Sequence, residues 1–128
     1  MAISSKPGVS FEELFECSPE PAYVIDPLED RIVAANRAGC ALLGYPHDEL
    51  LATRVSQIHP ADLSLMQDFL DRVSRDGRGS TIALTCRTKL GTFLPTEMSL
   101  HAFESDGRLR ILGLIQDRSD HRQRDPEG

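Results

Sequence analysis

The stretch from Gly79 to Asp117 constrains the fold more than any other part of the chain. It reads as three consecutive strands. In the first run, Ser80 to Thr88, the residues Ile82, Leu84 and Cys86 fall on one side and Thr81, Thr85 and Arg87 on the other. That is the period of two of a strand with one wet face. Leu90-Gly91 breaks the run, and Gly91 can supply the positive φ that a tight hairpin needs. The second run, Thr92 to Phe103, puts Leu94, Thr96, Met98, Leu100 and Ala102 on one face and Phe93, Glu97, Ser99 and His101 on the other. Asp106-Gly107 is a strong two-residue hairpin signal. The third run, Leu109 to Gln116, is almost wholly apolar, which predicts a central, covered strand. Pro95 has no N–H for a ladder, so its position must face solvent, an edge or a bulge. Such a meander has an apolar face that other elements must cover.

The preceding residues supply that cover. Residues 1–9 read as a tail, and Ser10 caps a short helix through Glu16, with Glu13 placed for a capping box. Phe11, Leu14 and Phe15 form an apolar stripe that either covers the domain's own sheet or serves self-association. Ser18-Pro19-Glu20-Pro21 ends the helix. Ala22 to Asp26 and Arg31 to Ala35 pair as strands around a turn at Pro27 to Asp30. Asn36 then caps a small helix that stops at Gly44, and Pro46 opens another helical turn. His59-Pro60-Ala61-Asp62 opens the one long helix, where Met66, Phe69, Leu70 and Val73 recur at i, i+3, i+4 and i+7. The expected architecture is α+β: a five-stranded antiparallel sheet with short helices and one longer helix packed on one face. The domain should span 10–119, with 120–128 beginning a linker or tail.

A chain of 128 residues suffices for one domain with one core. No apolar run is long enough to cross a bilayer, and Met1 to Gly8 lacks a signal-peptide pattern. A net charge of -6 without a Lys/Arg cluster argues against a nucleic-acid surface. The 3 cysteines, Cys17, Cys40 and Cys86, are far apart and form no C-x-x-C, which suits free thiols in the cytoplasm.

Six phrases occur in order along the chain: Ser18-Pro19-Glu20-Pro21-Ala22, Ala35-Asn36-Arg37-Ala38, Leu43-Gly44-Tyr45-Pro46 with Asp48-Glu49-Leu50-Leu51, Ile58-His59-Pro60-Ala61-Asp62, Gly91-Thr92-Phe93-Leu94-Pro95, and Asp117-Arg118-Ser119. With this element order, the chain from about Phe11 to Ser119 resembles a PAS domain. It departs from the family's wording at Leu90, where Asp is common, at Ala52, where Gly is common, and at Arg118-Ser119, where Ile-Thr is usual. The resemblance implies a sensory or dimerising module of a signal-transduction or transcription-regulatory protein. It also implies a pocket between sheet and helices, and output through Asp117, Arg118 and Ser119 into an effector such as a histidine kinase.

The candidate walls of that pocket are Val24, Leu42, Val55, Ile58, Met66, Phe69, Leu70, Leu84, Met98, Leu100, Leu112 and Leu114. A ligand held there would be mainly apolar. The same side chains also suffice to fill an ordinary close-packed core. His59 invites a haem or metal reading, but a histidine at a helix start is more often a cap or a surface residue. In haem-binding relatives the iron ligand sits inside the long helix, where this chain has Met66 or Gln67, and a Met on an apolar stripe is usually core. His47, His101 and His121 form no ligand spacing. The Asn-Cys-Arg-Phe phrase of flavin photoreceptors is missing, so neither haem nor flavin is expected. Cys40 and Cys86 read as redox sensors or as small buried hydrophobes. No nucleophile–base grouping is visible. The enzyme alternative is a small α+β cone acting on a hydrophobic ligand, with Asp26 or Asp117 as a buried acid. A haem-based gas or redox sensor is the other alternative. The apolar stripe of Phe11, Leu14 and Phe15, with Phe93 and Phe103 on the outer sheet face, leads to the expectation of a homodimer.

Overall fold

The computed structural model describes residues 10–59, 63–81 and 84–119. The elements are α1 (Phe11–Cys17), β1 (Ala22–Asp26), β2 (Arg31–Ala35), α2 (Arg37–Leu43), α3 (His47–Leu51), α4 (Val55–Ile58), α5 (Leu63–Asp76), β3 (Arg78–Thr81), β4 (Thr85–Arg87), β5 (Phe93–Ser105) and β6 (Arg108–Asp117). Every paired strand is antiparallel, in the order β2-β1-β6-β5-β3, with β4 also on β5. The apolar run of β6 is central, between β1 and β5, as its composition predicts. Asp106 (φ 55°) and Gly107 (φ 77°) turn the β5–β6 hairpin, both with the positive φ of a two-residue turn that suits strand twist.

The first run of the meander is divided. Thr81 pairs with Met98, but Thr85 pairs with Pro95, so β3 and β4 meet β5 in registers that differ by one residue. One extra residue on this strand shifts the register and exchanges its faces. Thr81 therefore shares the inner face with Met98, where a single alternation puts it outside with Thr85 and Arg87. Leu84 and Cys86 are buried, as expected, while Ile82 lies outside the described residues. Buried Thr96 completes the break, donating from Oγ1 to the Leu84 carbonyl at 2.9 Å. Pro95 sits beside the slip, the kind of place its missing N–H requires.

α1 has the capping box read from Ser10 and Glu13. The α5 stripe is buried at Met66, Phe69, Leu70 and Val73. Each such side chain contributes about 1.5–3 kcal/mol on burial, and an isolated helix of this length is marginal in water, so packing holds α5. Gly79 of β3 makes room for it: a Cβ there would stand 3.0 Å from Phe69 Cε1. Between sheet and helices the core gathers Tyr23, Ile25, Ile32, Met98, Leu100, Ile111 and Ile115 from the strands and Leu43, Leu50, Val55 and Ile58 from the short helices. His59 is the C-cap of α4, and the expected opening of α5 through Pro60 to Asp62 lies outside the described residues. Ala52, where the family often has Gly, has φ −92° and needs no glycine. Leu90 lies exposed in the β4–β5 turn, where Gly91 (φ 93°) takes the strained position.

Candidate functional site

Three places combine chemistry with geometry: a cleft on the inner face, a buried polar bridge behind it, and an apolar groove on the outer face. The cleft has a volume of about 360 Å³, within the range of small-molecule sites. Its lining comes from β1 (Ile25), the β1–β2 turn (Pro27, Leu28, Asp30), α4 (Val55, Ser56) and α5 (Met66, Gln67, Leu70). The turn is clamped in place. Asp30 adopts φ 57°, its Oδ1 accepts the Ser56 N–H at 2.9 Å, and its Oδ2 accepts the Ser56 hydroxyl at 2.6 Å.

Behind the cleft, His59 is 1% exposed and Tyr23 is 2% exposed. His59 Nδ1 lies 2.8 Å from the Thr85 carbonyl, which can only accept, so Nδ1 carries the proton. Nε2 of the neutral ring then accepts the Tyr23 hydroxyl at 2.9 Å. Burial, with Cys86 second, raises the Tyr23 phenol well above its ordinary 10.0. This bridge joins β1, the end of α4 and β4. The surface reading of His59 is corrected by it: both ring nitrogens are engaged inside the core. Alternation with Ile25 turned Tyr23 inward, and an inward phenol needs a partner; that signal was present in the sequence.

On the opposite face, α1 lies over the sheet. Glu12 and Phe15 with Val24, Ala34, Phe103 and Leu112 line a groove of about 360 Å³. Phe103, Phe93 and Leu14 remain 42%, 49% and 61% exposed.

Of the predicted pocket residues, Val55, Met66 and Leu70 line the inner cleft. Ile58, Phe69, Leu84, Met98 and Leu100 are buried in the core, and Leu42 packs against it. Val24, Leu112 and Leu114 require correction. They lie on the outer face, because Val24 pairs with Leu112 and the inner positions of β6 are Ile111, Gly113 and Ile115. Of the pairing residues, Phe15 and Phe103 share the outer groove; the Phe11 side chain lies outside the described residues. Arg118 N–H donates to the Pro95 carbonyl at 2.9 Å and Ser119 N–H to Asp117 Oδ1 at 2.8 Å, which fastens the end of β6. Neither sequence pattern nor spacing marked Pro27, Leu28, Asp30 or Ser56 as cleft residues; they converge through the turn–α4 clamp, and α5 brings Gln67 to the same cleft.

Asp26 lies in neither cleft nor groove. Its Oδ1 accepts the N–H groups of Leu28 and Glu29 at 3.0 and 3.1 Å, and its Oδ2 accepts from Arg108 and Arg110, each at 2.8 Å. Burial by itself would raise its pKa. The Arg108 hydrogen bond and the two N–H groups outweigh that and hold the carboxyl below its ordinary 3.8. A depressed carboxylate stabilises the fold fully above the unfolded-state value and loses that contribution as pH falls through the folded-state one. Hence Asp26→Asn is expected to cost most stability at neutral pH, and its difference from wild type should shrink as pH drops below 3.8. Urea unfolding across pH checks this; parallel wild-type and variant curves would refute it.

Burial pushes the Cys86 thiol up to about 12, and burial with the Glu16 carboxylate raises Cys40. Cys86 is thus a small buried hydrophobe and not an activated thiol. Among the described residues no group of three or more His, Cys, Asp or Glu could hold a metal ion, and no helix is long and apolar enough to cross a membrane. His121 lies outside the described residues.

A helix-backed antiparallel sheet in this order, with a cleft on one face and an apolar groove on the other, defines an α+β module with two candidate binding faces. The sequence model of the PAS domain matches residues 20–120, and the chain belongs to that family. Among solved structures it is similar to a PAS domain from a two-component sensor histidine kinase (TM-score 0.72, 18% identity, 82% of this chain and 90% of that one). It is also similar to the PAS domain of an HTR-like protein from Haloarcula marismortui (TM-score 0.71, 29% identity, 83% and 87%). A third is the PAS domain of a LuxR-family transcriptional regulator from Burkholderia thailandensis, solved in complex with ethanol (TM-score 0.71, 10% identity, 87% and 99%). No curated protein sequence matches the chain. PAS domains are in general sensory, non-catalytic modules, and the neighbours come from sensor kinases and regulators.

Proposed function

We propose that this PAS domain senses a small, mainly apolar molecule in the inner cleft, pairs with a second copy through α1 and the outer sheet face, and passes the signal beyond Asp117 to an effector. One observation carries the reading. Neighbouring residues of β1 serve the two faces: Ile25 lines the cleft and Val24 lines the outer groove. Their partners Ile111 and Leu112 lie on β6, which ends at Asp117, where Arg118 and Ser119 begin the exit. A ligand that moves Ile25 therefore displaces the surface on which α1 rests, with no intervening layer. Exposed Phe103 in the groove and exposed Leu14 next to Phe15 on α1 support pairing, since apolar surface of this kind is typically covered, and exposed Phe93 stands at the other end of β5.

Sedimentation equilibrium tests the pairing. Wild type should dimerise, and Phe93→Glu with Phe103→Glu, two exposed positions, should remain folded and dimerise at least about thirty-fold more weakly, the loss expected of aromatic anchors. A wild-type monomer at high concentration, or an unaffected double variant, would remove the homodimer from the reading.

A further inference from the structure

The cleft lining is not uniformly apolar, and its polar residues are grouped. Asp30 and Ser56 are held together at the turn–α4 clamp, and Gln67 adds an amide from α5. Ile25, Val55, Met66 and Leu70 form the apolar part. Asp30 is the one ionisable side chain among the described residues that line the cleft, and no Lys, Arg or His is among them. Its carboxylate spends one lone pair of each oxygen on Ser56, and a carboxylate has about four acceptor sites. The Ser56 contacts fix the carboxylate in place, so an incoming donor meets an oriented acceptor. The αL turn at Asp30 sets that position before any ligand arrives.

We propose that the cleft takes a small organic amine, bound as its ammonium ion, with the apolar body against Val55, Met66 and Leu70 and the charged nitrogen at Asp30. This refinement rests on the reading of the cleft as the sensing site. An alkylammonium is charged at neutral pH, as a lysine side chain is. In a half-enclosed site its hydrogen bond to a carboxylate is stronger than that of a neutral hydroxyl. A carboxylate ligand of the same shape meets repulsion at Asp30, which gives the site its selectivity.

The test compares three probes with similar bodies: phenethylamine, phenethyl alcohol and phenylpropionate. The methyl resonances of labelled methionine report directly, because Met66 lines the cleft while Met98 is buried in the sheet core. The amine should shift the Met66 methyl at a concentration about tenfold lower than the alcohol, and the carboxylate should bind most weakly. Raised salt should narrow the amine's advantage. Asp30→Asn should bring the amine to the level of the alcohol. Because Asp30 also caps α4, Gln67→Glu at an exposed position offers a second variant and should widen the advantage. Equal binding of amine and alcohol, or a preference that survives Asp30→Asn, would overturn the amine inference and leave the apolar cleft standing. If none of the probes moves the Met66 methyl, the sensing reading of the cleft falls with it.

Discussion

Asn36→Ala is expected to lower stability by about 3–5 kcal/mol, far more than the loss of an ordinary helix cap, which costs about 0.5–2 kcal/mol. Asn36 is the N-cap of α2, where Oδ1 accepts the Gly39 N–H at 2.8 Å. The same oxygen accepts the Ala22 N–H at 3.0 Å, and Nδ2 donates to the Glu20 carbonyl at 2.9 Å. The residue is fully buried. Truncation leaves the Ala22 and Gly39 N–H groups as buried orphans, each costing about 1–3 kcal/mol, and also removes the part-buried bond to the Glu20 carbonyl. Gly39 seals the site, since a Cβ there would stand 2.8 Å from the Ala22 carbonyl. Asn36→Asp should also fail to restore stability, because it turns a lone-pair oxygen toward the Glu20 carbonyl. Urea unfolding measures both, and a loss under about 1 kcal/mol for Asn36→Ala would show that the network is redundant.

Gly113→Ala is expected to cost about 2–3 kcal/mol, at the upper end of overpacking in a core. A Cβ at this position would lie 2.6 Å from Tyr23 Cε1 and 3.0 Å from Leu100 Cδ2. The Tyr23 ring cannot simply swing away, because its hydroxyl is held by His59 in the core. Moving it breaks that bond and strands two buried polar groups. The double-mutant cycle isolates this cause: in a Tyr23→Leu background the same substitution should cost at least about 1 kcal/mol less, as expected for residues in contact. An identical cost in both backgrounds would place the strain elsewhere, on Leu100 or the β6 backbone.

Much of the fold was legible because its signals are local. The two-residue turn at Asp106-Gly107, the capping box at Ser10 and Glu13 and the i, i+3, i+4, i+7 stripe of α5 each depend on a few neighbouring residues. The inner face of β5 was legible for the same reason: Thr96, Met98 and Leu100 alternate with half-buried or exposed residues. The candidate site was less so. β6 carries large aliphatic residues on both faces, so its alternation is hidden, and Leu112 and Leu114 could not be told from Ile111 and Ile115. Val24 followed them to the wrong face.

By itself the sequence determined the element order, the family and the antiparallel meander, since periodicity, turn chemistry and helix ends are properties of short stretches. Only the tertiary structure decided the sites. The slip between Thr81 and Thr85 depends on pairing with β5, and the inward histidine depends on Tyr23 and Thr85, which lie 36 and 26 residues away. The carboxylate in the cleft likewise depends on Ser56, 26 residues from Asp30. Which face a side chain occupies, and which distant polar group meets it, is fixed by pairing and packing across the chain, where no local pattern reaches.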